Sequence, residues 1–145
     1  MFIVNVEAAI YREGKWLIIE RSQQEEHAGG TLALVGGKAE REGTVPDIVE
    51  KTIAREVMEE VGLALTGTPR YVNSSSFVTD RGEAVVDIVF LCECESGEPR
   101  IASPEEVAAV CWMTAEEVLR HPLSPPWLKR NLQQAEQVRL QARQQ

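Results

Sequence analysis

Arg55-Glu56-Val57-Met58-Glu59-Glu60-Val61-Gly62-Leu63, which follows the glycine pair Gly36-Gly37 by some twenty residues, is the stretch on which the reading of this chain turns. It reads as a helix ending at Gly62. Glu56, Glu59 and Glu60 stand at i, i+3 and i+4, so the three carboxylates project as neighbours. With Ile53 set at zero and a rotation of about 100° per residue, Val57 falls near +40°, Val61 near +80° and Val49 near −40°. On the same wheel, at about 100° per residue, Glu60 falls near −20°, Glu56 near −60° and Glu59 near −120°. Glu60 is therefore expected inside the apolar stripe, with Glu56 on its border. A solvated acidic face would point the other way. Shielded like charges ask for a counter-charge, and an all-oxygen set suits Mg²⁺ or Mn²⁺.

Gly37-Lys38-Ala39-Glu40 through Leu63 resembles the Nudix box, the signature G-x5-E-x7-R-E-U-x-E-E-x-G-U of the Nudix hydrolase family, U being aliphatic. Arg55, Glu56, Val57, Glu59, Glu60, Gly62 and Leu63 match every specified position of its second half. The first half departs, because Gly37 and Arg55 are separated by four more residues than the pattern allows. Four residues is close to one helical turn of about 3.6. Thr44-Val45-Pro46-Asp47 reads as a helix start, so the surplus is expected as an extra N-terminal turn. The Glu56/Glu59/Glu60 face would then keep its register after a Gly36-Gly37 turn. The family's first box Glu is supplied by Glu42, Asp47 or Glu50, or is missing.

The resemblance implies a fold, an activity and a site. The fold is α/β, a Nudix-type α/β/α sandwich with a mixed β-sheet, in a single Nudix-like domain spanning residues 1–145. The activity is Mg²⁺- or Mn²⁺-dependent hydrolysis of a diphosphate bond in a nucleoside diphosphate linked to another moiety. Metal ligands would be Glu56, Glu59 and Glu60, with a backbone carbonyl at Gly37 or its neighbour. Arg55 would hold the acidic residues in place. A general base from the loop before the last strand would be Glu105 or Glu106, set beside the catalytic roles of Glu56 and Glu59. Arg21 and Lys38 flank the expected site and are candidates to meet substrate phosphates.

Composition bounds the alternatives. At 145 residues, 43% hydrophobic and 26% charged, the chain has the make-up of one ordinary globular domain. A net charge of −8 argues against coating nucleic acid or binding an anionic membrane. No run approaches the roughly 20 apolar residues that span a bilayer. Met1 to Val6 lacks the pattern of a signal peptide. Cys92, Cys94 and Cys111 have no zinc spacing; Cys92 and Cys94 alternate on one side of a strand, as neutral thiols in a reducing cytoplasm would.

Periodicity supplies the remaining elements. Strands are expected over Ile3 to Tyr11 and Trp16 to Arg21, joined by a hairpin at Arg12-Glu13-Gly14-Lys15. A polar loop, Ser22 to Gly30, leads to the apolar run Leu32 to Val35. Further strands are expected over Arg70 to Val78, Ala84 to Glu93 and Val107 to Met113. Thr114-Ala115-Glu116-Glu117 is a capping box opening a short helix to Arg120. A final helix runs from about Trp127 to Arg143, with Gln141 to Gln145 fraying. Leu128, Leu132 and Ala135 give it an apolar face, packed on the core or at a homodimer interface. Tyr71, Phe77, Trp112 and Trp127 are expected in the core more than against a base, and His27 on the surface.

Three functions follow from these features. They are an active metal-dependent pyrophosphohydrolase, a catalytically weak or inactive nucleotide-binding or regulatory module on the same fold, and an acidic structural domain without metal. Intact acids in the second half of the box favour the first, and the altered spacing is what favours the second.

Overall fold

A computed structural model describes residues 1–25 and 27–143, so Gln144 and Gln145 of the expected frayed end, and Glu26 of the polar loop, lie outside the described residues. The order of elements is β1 (Ile3–Arg12), β2 (Lys15–Arg21), β3 (Leu32–Ala33), β4 (Val35–Lys38), α1 (Ile48–Val61), β5 (Leu65–Val78), β6 (Ala84–Cys94), β7 (Val107–Met113), α2 (Ala115–Arg120) and α3 (Pro126–Arg143). β1 and β2 turn over at Glu13 (φ 49°) and Gly14 (φ 83°), a two-residue hairpin of the primed kind that suits the twist of its strands. Only the Tyr11–Arg12 end of β1 pairs with β2, and the two strands then diverge. β1 continues between antiparallel β4 and parallel β6, while β2 carries β3 and β7. The sheet is therefore mixed.

Period-two alternation along β1 divides its side chains between two helical layers. Val6, Ala8 and Ile10 pack with Ile53, Val57 and Val61 of α1, all fully buried. Ala9 joins Trp16, Ile18, Val89 and Leu91 against Leu128, Leu132 and Ala135 of α3, with Val118 of α2. The expected α/β/α sandwich is the observed one, and the apolar face of the last helix is spent on the chain's own core. Cys92 is buried and Cys94 packs against the same cluster, so both face α1 as the alternation required.

Three local expectations fail, each for a steric reason. Gly36 and Gly37 form no turn; they lie within β4, where a Cβ at Gly36 would overlap the Val6 carbonyl oxygen of β1. The surplus residues add no turn to α1 either. The helix begins at Ile48, because Asp47 adopts a left-handed conformation (φ 56°, ψ 38°) that no right-handed helix can run through. Thr44 to Asp47 is loop. β5 starts five residues before the expected Arg70, running through Gly67 and Pro69. Register shifts between Thr66 and Arg70 and between Tyr71 and Asn73 absorb these breakers, as an edge strand allows. At the other end of α1 Gly62 (φ 71°) donates its N–H to Met58 O at 3.1 Å, the left-handed cap that the box glycine supplies.

Candidate active site

Because Ile53, Val57 and Val61 anchor α1 to the sheet, the rotation of the helix is fixed and Glu56 and Glu60 are carried inward. They are 9% and 5% exposed, as the helical wheel required. Glu106 approaches from the turn before β7, held by its own N–H to Ser103 O (3.0 Å) and by Ser22 N–H to its carbonyl (2.9 Å). One oxygen from each of Glu56, Glu60 and Glu106 lies within 4.8 Å of the others. Glu60 Oε1 is buried with no hydrogen-bond partner. Burial, then the charges of Glu56 and Glu106, push the Glu60 carboxyl up to about 8, against the opposing pull of the Gly36 N–H and Arg21. Burial likewise raises Glu56, although Arg55 pulls it back. A dehydrated carboxylate set of this kind is stable with a bound proton or a bound cation, and its hard oxygen donors fit a small divalent ion.

Arg55 organises the rim. Its Nη1 donates to Glu56 Oε1 at 2.9 Å and reaches Glu59 Oε2 at 3.3 Å, and its Nη2 donates to Lys38 O at 3.1 Å. Glu59 is thus turned toward Arg55 on the exposed side of the helix and stands outside the group of three. Glu40 is the third acid at this guanidinium, 3.7 Å from Nη1. Glu42, Asp47 and Glu50 do not reach it. Glu42 borders a separate hollow with Gly43 and Val45, Asp47 precedes α1, and Glu50 lies in its first turn. The run Lys38-Ala39-Glu40-Arg41-Glu42 offers two acids, and counting along an altered spacing had no means of choosing Glu40.

Glu40, Glu56, Glu60 and Glu106 line a cleft of about 340 Å³ that also takes in Gly37, Lys38 and Arg21. A Cβ at Gly37 would fall on the Glu56 carboxylate, so the missing side chain is what lets Glu56 lie against β4. Arg21 pairs with Glu25 at 3.5 Å and donates Nε–H to His27 O at 3.1 Å. Lys38 is exposed on the cleft wall. Glu105, next to Glu106, is exposed and does not line the cleft.

Several neighbours escaped the sequence reading. Glu7 on β1 and Asp87 on β6 form a carboxyl pair within reach of the charges of Arg21 and Glu60; burial and the hydrogen bond and charge of Asp87 raise Glu7 well above the usual range. A single acid inside an otherwise apolar strand, as in Val6-Glu7-Ala8 and Val86-Asp87-Ile88, was the available signal. Tyr71, Phe77 and Trp127, expected in the core, are 58%, 38% and 51% exposed, whereas Trp112 packs on the α1 cluster. His27 is exposed as expected, but its ring stacks on Phe77 and Trp127.

The chain is similar to known proteins. The NUDIX domain family matches residues 1–134 of the chain. A MutT NUDIX hydrolase from Burkholderia pseudomallei is 30% identical, the match covering 92% of this chain and 98% of that one with a TM-score of 0.76. The MutT protein of Methanosarcina mazei Go1, 23% identical over 95% of both chains, shares the fold with a TM-score of 0.79. The E. coli ORF135 protein is 26% identical over 95% of this chain and 91% of that one, with a TM-score of 0.69. No curated protein matches the chain. No described helix is long and apolar enough to cross a membrane. With the family matched over nearly its whole length and two of the box acids, Glu56 and Glu60, gathered in one cleft, the chain belongs to the Nudix hydrolase family, as a Nudix pyrophosphohydrolase.

Proposed function

We propose that the chain hydrolyses, with Mg²⁺ or Mn²⁺, a diphosphate bond in a nucleoside diphosphate linked to another moiety. The observation that carries this reading is the Glu56/Glu60/Glu106 cluster, whose oxygens converge within 4.8 Å while Glu60 Oε1 remains buried and unpartnered. Glu56 and Glu60 would hold the cation, with the Gly37 carbonyl and Glu59 as the remaining expected ligands, Glu59 being turned to Arg55 in this structure. When bound, a divalent cation neutralises phosphate oxygens and lowers the pKa of water. Arg21 and Lys38 on the cleft wall meet the remaining phosphate charge, which an acidic protein would otherwise repel. Arg55 keeps Glu56 and Glu59 in place through its bonds to both and to the Lys38 carbonyl. Glu106 stands opposite α1 and takes the proton of the attacking water, a role that Glu105 is too far outside the cleft to share.

The longer box spacing favoured a module without turnover. Its surplus residues lie in the loop before Ile48 and leave the three carboxylates together, which supports activity. The test is phosphate or nucleotide release from a panel of nucleoside diphosphate derivatives and nucleoside triphosphates, with Mg²⁺, with Mn²⁺ and with chelator. Metal-dependent cleavage that Glu60→Gln abolishes is expected. A folded protein that binds Mg²⁺ and cleaves no member of the panel would replace this reading with the binding module.

A further inference from the structure

The cleft does not end at the carboxylates. Asn5, Arg21, Glu25 and Lys38 line both it and a second hollow of about 470 Å³, so the two form one groove running toward the end of β5. The chemistry changes along the groove, from clustered acids to flat rings. Phe77 of β5 and His27 of the loop after β2 line the second hollow, with ring centroids 5.5 Å apart and planes 12° from parallel. His27 also stacks on Trp127, at the start of α3, at 6.2 Å and 23°. Three distant parts of the chain thus converge to present aromatic faces beside a site suited to phosphates. Phe77 keeps 38% of its surface exposed, so its ring is available to a further planar group.

The sheet beneath supplies a polar reader of fixed orientation. Asn5 of β1 and Asp87 of β6 are register partners, and Asn5 Nδ2 donates to Asp87 Oδ1 at 2.7 Å. Asp87 is 6% exposed, and its Oδ1 is the acceptor of this bond. A free asparagine can rotate its amide and present either its oxygen or its nitrogen. Asn5 cannot, because turning its oxygen toward Asp87 would set acceptor against acceptor. Its Oδ1 therefore faces away from Asp87, and it accepts no hydrogen bond among the described residues.

We propose that this hollow takes the nucleobase of the substrate, stacked on the open face of the Phe77 ring that His27 backs, and that the locked Asn5 oxygen selects bases carrying an amino group. Cytosine, adenine and guanine offer such a donor. Uracil and thymine place a carbonyl oxygen where cytosine has its amino group, and would meet Asn5 Oδ1 acceptor to acceptor. The inference rests on the diphosphate chemistry proposed above for what lies at the acidic end, yet base recognition is measurable without it.

Nucleoside monophosphates have no diphosphate bond, so their binding separates recognition from turnover. Affinities of CMP, AMP, GMP, UMP and dTMP for the full chain with Mg²⁺, by titration calorimetry, should rank the first three tighter. A single hydrogen bond predicts roughly two- to tenfold between CMP and UMP. Phe77→Ala, at an exposed position, should weaken all five by roughly five- to a hundredfold, the range for loss of one stacked base. Asn5→Ala should remove the difference between CMP and UMP while both continue to bind. Equal affinities for CMP and UMP in the unaltered protein, an unchanged affinity in Phe77→Ala, or no binding of any of the five would each overturn the inference. Selective monophosphate binding without hydrolysis of any diphosphate would instead sink the proposed reaction and leave the base site standing. Hydrolysis without base selectivity would do the reverse.

Discussion

Without a divalent cation, raising the pH should destabilise this protein, and Glu60 should be the principal reason. Its ordinary pKa of 4.5 is pushed up to about 8 in the folded chain by burial and by the charges of Glu56 and Glu106. Between those values the native state holds a proton that the unfolded state has released. The slope of unfolding free energy with pH is then negative, so stability is greatest below about pH 4.5 as far as this group is concerned and declines until about pH 8. Each pH unit in that window is worth at most about 1.4 kcal/mol, which sets a ceiling of a few kcal/mol for the group. Relaxation of the cluster and water entering the cleft will make the measured loss smaller. On the proposed function, bound Mg²⁺ would take the proton's place and would stabilise more as the carboxylates ionise. The assay is urea unfolding at intervals from pH 5 to 8.5, in chelator and in millimolar Mg²⁺, for the natural chain and for Glu60→Gln. The glutamine is isosteric and carries no charge. In chelator the natural chain should lose stability with rising pH more steeply than Glu60→Gln, and Mg²⁺ should flatten its slope. Parallel pH profiles for the two proteins in chelator would refute the argument, since Glu60 would then ionise in the fold as it does in the unfolded chain.

The two box glycines should respond differently to the same substitution. Gly37→Ala places its methyl on the movable Glu56 carboxylate, so it should keep the fold and lower kcat by roughly tenfold or more, one factor of ten being about 1.4 kcal/mol in the barrier. Gly36→Ala drives its methyl into the β1 backbone and should cost about 1–3 kcal/mol of stability, checked by denaturant midpoints. Glu106→Gln should lose most activity while Glu105→Gln keeps it, because only Glu106 belongs to the carboxylate group; equal rates for the two would remove Glu106 from the mechanism. Glu40→Gln should lower activity severalfold by loosening Arg55, and Glu42→Gln should not, a contrast read directly in kcat/KM.

Much of the architecture was legible because it depends on local patterns. The wheel that set Glu60 among Val49, Ile53 and Val57 fixed which acids are buried, since a helix can turn only one face to a core. Alternation gave β7 at Val107–Met113 and the shared face of Cys92 and Cys94, and the Thr114–Glu117 capping box opened α2 where expected. The second half of the box located Arg55, Glu56 and Glu60 by spacing within one rigid helix, where three or four residues always mean one turn.

What the sequence by itself determined, then, was the sandwich, the helix that carries the acids, and the side of it that faces inward. Tertiary structure decided which partners meet that face. Glu106 joins Glu56 and Glu60 from a turn some fifty residues away, and Glu40 was chosen over Glu42 at Arg55 by the path of a loop. The glycines that looked like a turn are needed for close approach to β1 and to Glu56, a demand made by neighbours distant in the chain. His27, Phe77 and Trp127 come together from a loop, a strand end and a helix start, and Asn5 is oriented by Asp87 across the parallel β1/β6 pair. Spacing in a chain constrains only what one helix or strand holds rigid. Contacts between elements depend on how the sheet twists and where each loop returns, and no local pattern records that.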